Sequence, residues 1–173
     1  MIHGEKITLR TVREADLDLL FNLWSDIANR GEYYPLDFPS QVDFKKRFHE
    51  HGLMEETKGT LLICEEDRIV GSISFFPASY FNGFEIGYIL FDTASRGKGY
   101  MTEALSLLSQ HLFSMKKINR LQLTVIMGNT ASKRVAEKCG FQSEGVVREA
   151  IFHRGENRDL ELFSILRSEI DLK

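Results

Sequence analysis

The sequence predicts a single α/β domain over residues 1–173, built on a mixed, mostly antiparallel sheet of about six to seven strands flanked by about four helices. Three observations carry that expectation. The chain has 173 residues, 43% hydrophobic and 27% charged, the size and balance of one globular domain, which excludes disordered, collagenous and disulfide-framework chains. Between Thr60 and Phe91 three apolar runs follow one another across turn signals, the pattern of an antiparallel meander. Apolar residues at helical spacing then alternate with strand-like runs through the second half.

Residues 6–12 set Ile7 and Leu9 against Thr8 and Arg10, the period-two signature of a half-buried strand. Over 14–28 the spacing becomes helical, with Leu17, Leu20, Phe21 and Trp24 on one stripe. Residues 30–39 hold two of the three prolines beside Tyr33, Tyr34 and Phe38, a loop aromatic enough to wall a pocket. Ser40 with Asp43 resembles a capping box with the shorter acid, opening a short helix that carries Phe44 and Phe48. Strands are expected over 60–65, 68–76 and 84–91, separated by a turn at Glu66-Asp67 and a loop over 77–83. A small-residue segment, 93–98, leads into a helix over 99–115 with Met101, Leu105, Leu108, Leu112 and Met115 at helical spacing. Leu121, Leu123 and Val125 alternate as a strand, and a helix over about 131–139 stops at Gly140 with apolar Phe141 behind it, the sequence form of a Schellman motif. Two last strands, 145–153 and 158–167, flank a turn at 154–157.

The formal net charge is −3, with basic residues scattered among acidic ones, which disfavours nucleic acid as a partner because phosphate neutralisation needs a clustered basic surface. Cys64 and Cys139 match no metal spacing, and single thiols of this kind point to a reducing, cytoplasmic setting. His49 and His51 are two apart on a helix and face different ways, so no metal site is expected. The first residues show neither a signal peptide nor a transit peptide, and the most apolar stretch, 69–84, is broken by Gly71, Pro77 and Asn82, so no membrane anchor is expected.

The stretch that carries chemistry runs from Asp92 to Met101, from a strand end through glycines to a helix start. Successive backbone N–H groups there form a concave nest, the helix dipole adds partial positive charge, and glycines admit a phosphate closely. Arg96 and Lys98 add full charges. A dinucleotide fingerprint would need glycine at Thr102, and a P-loop would need Gly-Lys before Ser or Thr, whereas Lys98 precedes Gly99. A plain strand-to-helix turn is the competing explanation for the loop alone.

Arg96-Gly97-Lys98-Gly99-Tyr100, with Met101 in place of a final small residue, resembles the pyrophosphate-cradling pattern of the GNAT superfamily of acetyl-CoA-dependent N-acetyltransferases. The opening Ile7-Thr8-Leu9-Arg10 with Asp16, the Asn129-x-x-Ser132 element, Gly140-Phe141 and the stretch 159–166 resemble its ribosomal-protein N-terminal acetyltransferase branch, so the likeness spans nearly the whole chain. The resemblance implies a sheet splayed at its centre between the strands at 85–91 and 121–125, with pantetheine in the gap. It implies acetyl-CoA as cosubstrate, no metal, and a cofactor site made of Ile89, Leu90, Phe91, Arg96, Gly97, Lys98, Gly99, Tyr100, Met101, Asn129 and Ser132. The amide of Ile89 would be the oxyanion donor.

Acetyl transfer from a thioester to an amine needs a neutral amine, a stabilised oxyanion and a leaving thiolate that ends protonated. Glu85, eleven positions before Arg96, occupies the spacing of the base in several family members; an ordinary strand glutamate is the competing reading, and a water relay is the other candidate base. Ser132 is the candidate near the sulfur, because the position where the family often places an acid tyrosine is Ala136. Asn129 is equally well a helix N-cap, and Lys133, Arg134 and Lys138 are either 3′-phosphate ligands or a solvated helix face. Tyr33, Tyr34, Tyr88 and His153 are the candidates for the acceptor pocket, against core packing. The implied activity is direct transfer of acetyl from acetyl-CoA to a primary amine: a protein N-terminus or a small molecule such as an antibiotic, polyamine or amino sugar. The alternative is a catalytically silent CoA-binding sensor or structural module. A monomer or homodimer is expected.

Overall fold

The computed structural model describes residues 1–79 and 81–170. Eight strands form one sheet: β1 (Ile2–His3), β2 (Thr8–Thr11), β3 (Gly59–Glu65), β4 (Arg68–Pro77), β5 (Gly83–Leu90), β6 (Arg120–Ile126), β7 (Gln142–His153) and β8 (Glu156–Leu166), in the order β1-β2-β3-β4-β5-β6-β8-β7. All neighbours are antiparallel except β5 and β6. The eighth strand, beyond the expected six to seven, is β1, whose two residues pair with Leu9 and Thr8 and are too few to show a period in the sequence. Tyr80, in the expected 77–83 loop, lies outside the described residues.

Among the described residues the helices of nine residues or more are α1 (Leu17–Ser25), α3 (Gln41–His51), α4 (Tyr100–Met115) and α5 (Thr130–Lys138), with a single turn α2 (Ile27–Arg30) after α1. The helix expected over 14–28 is thus divided: Glu14–Asp16 is a 3₁₀ turn, and Asp26, extended at ψ 107°, caps α2 by accepting from Ala28 N–H at 2.9 Å. The apolar stripe from Leu17 to Trp24 lies wholly in α1, so periodicity could not register the break. Ser40 Oγ caps α3 by accepting from Asp43 N–H at 3.2 Å. The α5 stop is the Schellman pair expected, with Gly140 N–H on Glu137 O at 3.1 Å, Phe141 N–H on Ala136 O at 3.0 Å, and Gly140 at φ +82°. The turn expected over 154–157 closes in two residues, Arg154 (φ 52°) and Gly155 (φ 89°), a left-handed pair that follows the twist of the flanking strands.

Alternation along the strands divides the core. One cluster places Leu105, Leu108, Leu112 and Phe113 of α4 on Leu61, Ile63, Ile86, Leu121 and Leu123; the other places Leu17, Leu20 and Phe44 on Leu62, Cys64, Ile89 and Phe91. Burial of each such side chain contributes about 1.5–3 kcal/mol, so the sheet is held between two apolar layers. The parallel junction is the exception. β5 and β6 pair only at Gly83–Arg120, Phe84–Leu121 and Glu85–Gln122, and beyond Glu85 the two strands part.

Candidate active site

Where β5 and β6 part, a groove of about 580 Å³ opens, walled by the C-terminal end of β5, the loop before α4 and the start of that helix, one side of α5, and the loop after α2. Of the residues expected in the site, Tyr33, Tyr34, Tyr88, Ile89, Leu90, Arg96, Gly97, Gly99, Tyr100, Met101, Asn129 and Ser132 all line it. Glu85, Phe91, Lys98 and His153 do not.

The glycine loop is held from both sides. Asp92 caps the 3₁₀ turn Thr93–Ser95 by accepting from Ser95 N–H and also pairs with Arg68 at 2.9 Å, so the chain enters the loop from a fixed point. Gly97 and Gly99 then take φ +75° and +87°, left-handed values that glycine adopts without strain, and Gly99 is the N-cap of α4 with no side chain over the helix's first N–H groups. Arg96 is exposed at the groove edge. The Lys98 side chain lies off the groove, its ammonium 3.9 Å from Glu65 and over the Tyr100 ring at 5.5 Å, so the full charge expected there is turned away while the Lys98 backbone remains part of the loop. Met101 is buried in the α4 core cluster, so a large side chain there leaves the loop's anion face unchanged. Arg134 and Lys138 line the groove further along, whereas Lys133 is tied to Glu161 by two 3.0 Å bonds and does not. A bare donor nest flanked by Arg96, Arg134 and Lys138 fits a ligand carrying several phosphates.

The phase of the β4–β5 ladder decides which backbone groups face the gap. Ala78 N–H bonds Gly83 O at 3.1 Å and Phe91 N–H bonds Val70 O at 3.0 Å, with Ser72 opposite Ile89 in unbroken register between them. In an antiparallel ladder alternate residues turn both backbone groups to the same neighbour, so Ile89 and Phe91 direct theirs to β4, and Tyr88 and Leu90 direct theirs to the gap. The oxyanion role expected of the Ile89 amide and the contact expected of Phe91 are corrected accordingly. Leu90 carries the gap-facing N–H at this level. Phe91 is a core residue, 3% exposed.

Tyr88 and Ser132 meet across the gap at 2.8 Å, Oη to Oγ, with Tyr88 Oη also 3.4 Å from Ser132 O. Burial pushes the Tyr88 phenol up to about 12, against a smaller downward pull from Ser132. Asn129 Oδ1 accepts from Ser132 N–H at 3.1 Å, so Asn129 is the α5 N-cap and lines the groove as well. Ala136 is fully buried and brings no hydroxyl. Glu85 stands at the last β5–β6 pair on the other face of the sheet, its oxygens accepting from Thr124 Oγ1 at 2.9 Å and Gln122 Nε2 at 3.1 Å.

Arg30 is absent from the sequence-based candidates and organises the aromatic wall. Only 6% exposed, it donates to the carbonyls of Trp24 (2.6 Å), Pro35 (2.7 Å) and Asp37 (2.7 Å), and its guanidinium lies over the Tyr34 ring at 5.9 Å. Burial raises the Tyr34 phenol, and the Arg30 charge opposes part of that rise. His153 and Arg154 grip the same loop from behind: His153 Nε2 lies 2.6 Å from Glu32 O, and Arg154 donates to Glu32 O at 3.0 Å and Gly31 O at 3.1 Å. His153 therefore supports the wall from outside the groove. Three arginine bonds to carbonyls have no motif, and nothing in the sequence distinguishes Arg30 from a surface arginine. Among the described residues no group of three or more His, Cys, Asp or Glu could hold a metal ion, and no helix is long and apolar enough to cross a membrane.

A family model described as an acetyltransferase (GNAT) domain matches residues 6–142. The ribosomal-protein-serine acetyltransferase of Escherichia coli strain K12 is 32% identical over 170 residues, covering 93% of each chain. The probable N-acetyltransferase YjcK of Bacillus subtilis strain 168 is 29% identical over 180 residues, covering 98% of each. Among solved structures, the microcin C7 self immunity acetyltransferase MccE in complex with acetyl-CoA and AMP is similar with a TM-score of 0.79 at 25% identity, over 94% of this chain and 93% of that one.

Proposed function

Because this chain belongs to the GNAT family of acetyltransferases and is an N-acetyltransferase, we propose that it moves the acetyl group of acetyl-CoA directly to a primary amine in the groove between β5 and β6. The observation that carries the reading is the coincidence, in one groove, of the glycine nest at Arg96–Met101 with the Tyr88–Ser132 hydroxyl pair where the strands part. Acetyl-CoA supplies an acyl group already activated as a thioester. The nest and Arg96 hold the pyrophosphate, Arg134 and Lys138 meet the 3′-phosphate, and the Leu90 N–H takes the hydrogen bond of the arm in the gap or of the reacting carbonyl oxygen. Ser132 stands beside the sulfur. Glu85, at the point of divergence, accepts the amine's proton through a water on its free lone pairs, since each oxygen carries only one protein donor. Tyr33 and Tyr34 form the acceptor wall.

The match to a ribosomal-protein-serine acetyltransferase over 93% of each chain favours a protein N-terminus as acceptor. The free thiols Cys64 and Cys139 support a cytoplasmic setting. The test is acetyl-CoA-dependent thiol release across peptides with serine or alanine N-termini, polyamines and amino sugars. Release with the peptides above the amine-free rate supports the assignment; fastest release with a small amine replaces the acceptor class. Tight CoA binding without release for any amine makes the protein a silent CoA module.

A further inference from the structure

We infer that Tyr88 is a positioning residue for the transfer: it donates its phenol hydrogen to Ser132 Oγ, which leaves the serine's own hydrogen free to point into the groove and hydrogen-bond the departing sulfur. The inference rests on the reading above, in which Ser132 stands beside the thioester. It moves Tyr88 from the acceptor wall to the machinery that acts on the leaving group.

The geometry explains how a strand residue reaches the helix. Tyr88 follows Phe84 and Ile86 on the face of β5 that carries the α4 core cluster, and it lies beyond Glu85, where β6 no longer pairs with β5. Its ring crosses the opening and ends at the first turn of α5, where Asn129 fixes the serine's backbone.

Two hydroxyls share one 2.8 Å hydrogen bond, and its direction decides the chemistry. A phenol, with an ordinary pKa near 10, is a far better donor than an alcohol and a poorer acceptor. In the reverse arrangement the Tyr88 hydrogen would have, among protein acceptors, only Ser132 O, at 3.4 Å, the outer limit of a hydrogen bond. Both considerations favour Tyr88 as the donor. Burial keeps the phenol protonated up to about 12, so the donation persists through any working pH.

Neither hydroxyl gives up its proton. A thiol has an ordinary pKa of about 8.5, so sulfur can leave as thiolate when a donor stabilises it. As the new carbon–nitrogen bond forms and the carbon–sulfur bond breaks, the latter's electron pair stays on sulfur, which Ser132 solvates by its hydrogen bond. The proton lost by the amine goes to the base and on to water, and sulfur later takes its proton from water.

The test is a double-mutant cycle of Tyr88→Phe and Ser132→Ala with two readouts. The first is ionisation of the thiol of bound CoA, followed by thiolate absorbance across pH. Ser132→Ala should raise its pKa, Tyr88→Phe should raise it by a smaller amount, and the double variant should match Ser132→Ala. The second is kinetic. Tyr88→Phe should lower kcat about tenfold, the worth of one hydrogen bond made in the transition state, with both KM values within about twofold, and Tyr88→Phe should cost nothing further on Ser132→Ala. Independent, multiplicative losses, a rise in the amine KM with kcat intact, or an unmoved bound thiol would each overturn the inference. Phe keeps the ring in place, and an unchanged CoA affinity reports that the fold is kept. A protein that binds no CoA overturns the proposed function and this inference with it; one that acetylates normally while the cycle is additive overturns this inference alone.

Discussion

Replacing Arg30 with methionine tests whether the aromatic wall is held by one buried cation. The substitution keeps an apolar stem of similar length and removes three bonds of 2.6, 2.7 and 2.7 Å to the carbonyls of Trp24, Pro35 and Asp37. Hydrogen bonds from a charged donor are worth about 1.5–3 kcal/mol each, a gross loss of about 4.5–9 kcal/mol. Pro35 and Asp37 are themselves exposed residues, so water can satisfy part of what the arginine leaves. A net loss of about 3 kcal/mol follows, and at this chain length each kcal/mol lowers Tm by about 2–4 °C. Thermal denaturation should therefore show a fall of about 6–12 °C. Steady-state kinetics should show a higher KM for the amine, because Tyr33 and Tyr34 lose their support, with the affinity for acetyl-CoA unchanged. Arg30→Lys, whose single ammonium cannot reach all three carbonyls in the planar geometry of a guanidinium, should fall between. A Tm within about 1 °C of the parent, or an equal loss of cofactor affinity, would refute the reasoning.

Acetyl-CoA should raise the Tm of the parent protein by mass action, and Gly99→Asp should abolish that rise by placing a carboxylate over the α4 donors; a full shift in this variant removes the nest from the site. Glu85→Gln keeps an amide oxygen for Gln122 Nε2 and reverses the other junction bond, its NH2 donating to a rotated Thr124 Oγ1. It should lower turnover at neutral pH about a hundredfold, with the deficit narrowing as pH rises and more amine is neutral unaided; an unchanged pH profile assigns the proton to another acceptor. Arg120, with help from Ser164, holds the Glu144 carboxyl down to about 2 from an ordinary 4.5. A depressed folded pKa means that this stabilisation is full above the unfolded value and is lost as pH falls from about 4.5 towards 2. Urea midpoints should therefore drop over that window in the parent and drop less in Glu144→Gln.

The meander, α4 and the glycine nest were legible because each is a local pattern. Period-two alternation and helical spacing report which side chains face the core, and Arg96-Gly97-Lys98-Gly99 reports its own backbone demand. What was illegible depends on the third dimension. Side-chain alternation says that Ile89 faces the α1–α3 layer, but the same residues could offer their N–H groups to either neighbour, and only the bonds Phe91–Val70 and Ala78–Gly83 set the phase that turns Leu90 to the gap. The Lys98 ammonium reads as a charge added to the nest until Glu65, from another strand, is seen beside it. Tyr88 and Ser132 are 44 residues apart on a strand and a helix, and their contact exists only because β5 and β6 diverge between them. Arg30 is the same lesson in another form: its three acceptors are backbone carbonyls, which every residue has and no sequence displays.

The most direct test of the account is to follow isotopically labelled acetyl from acetyl-CoA. The enzyme is first incubated with the labelled thioester alone and its protein fraction examined by intact mass, and a serine-terminated peptide is then added. Direct transfer in the β5–β6 groove predicts no labelled protein before the peptide, and afterwards labelled N-terminal amide equal in amount to the thiol released. Label trapped on the protein and chased into the peptide, or thiol release with no labelled amide, would contradict it.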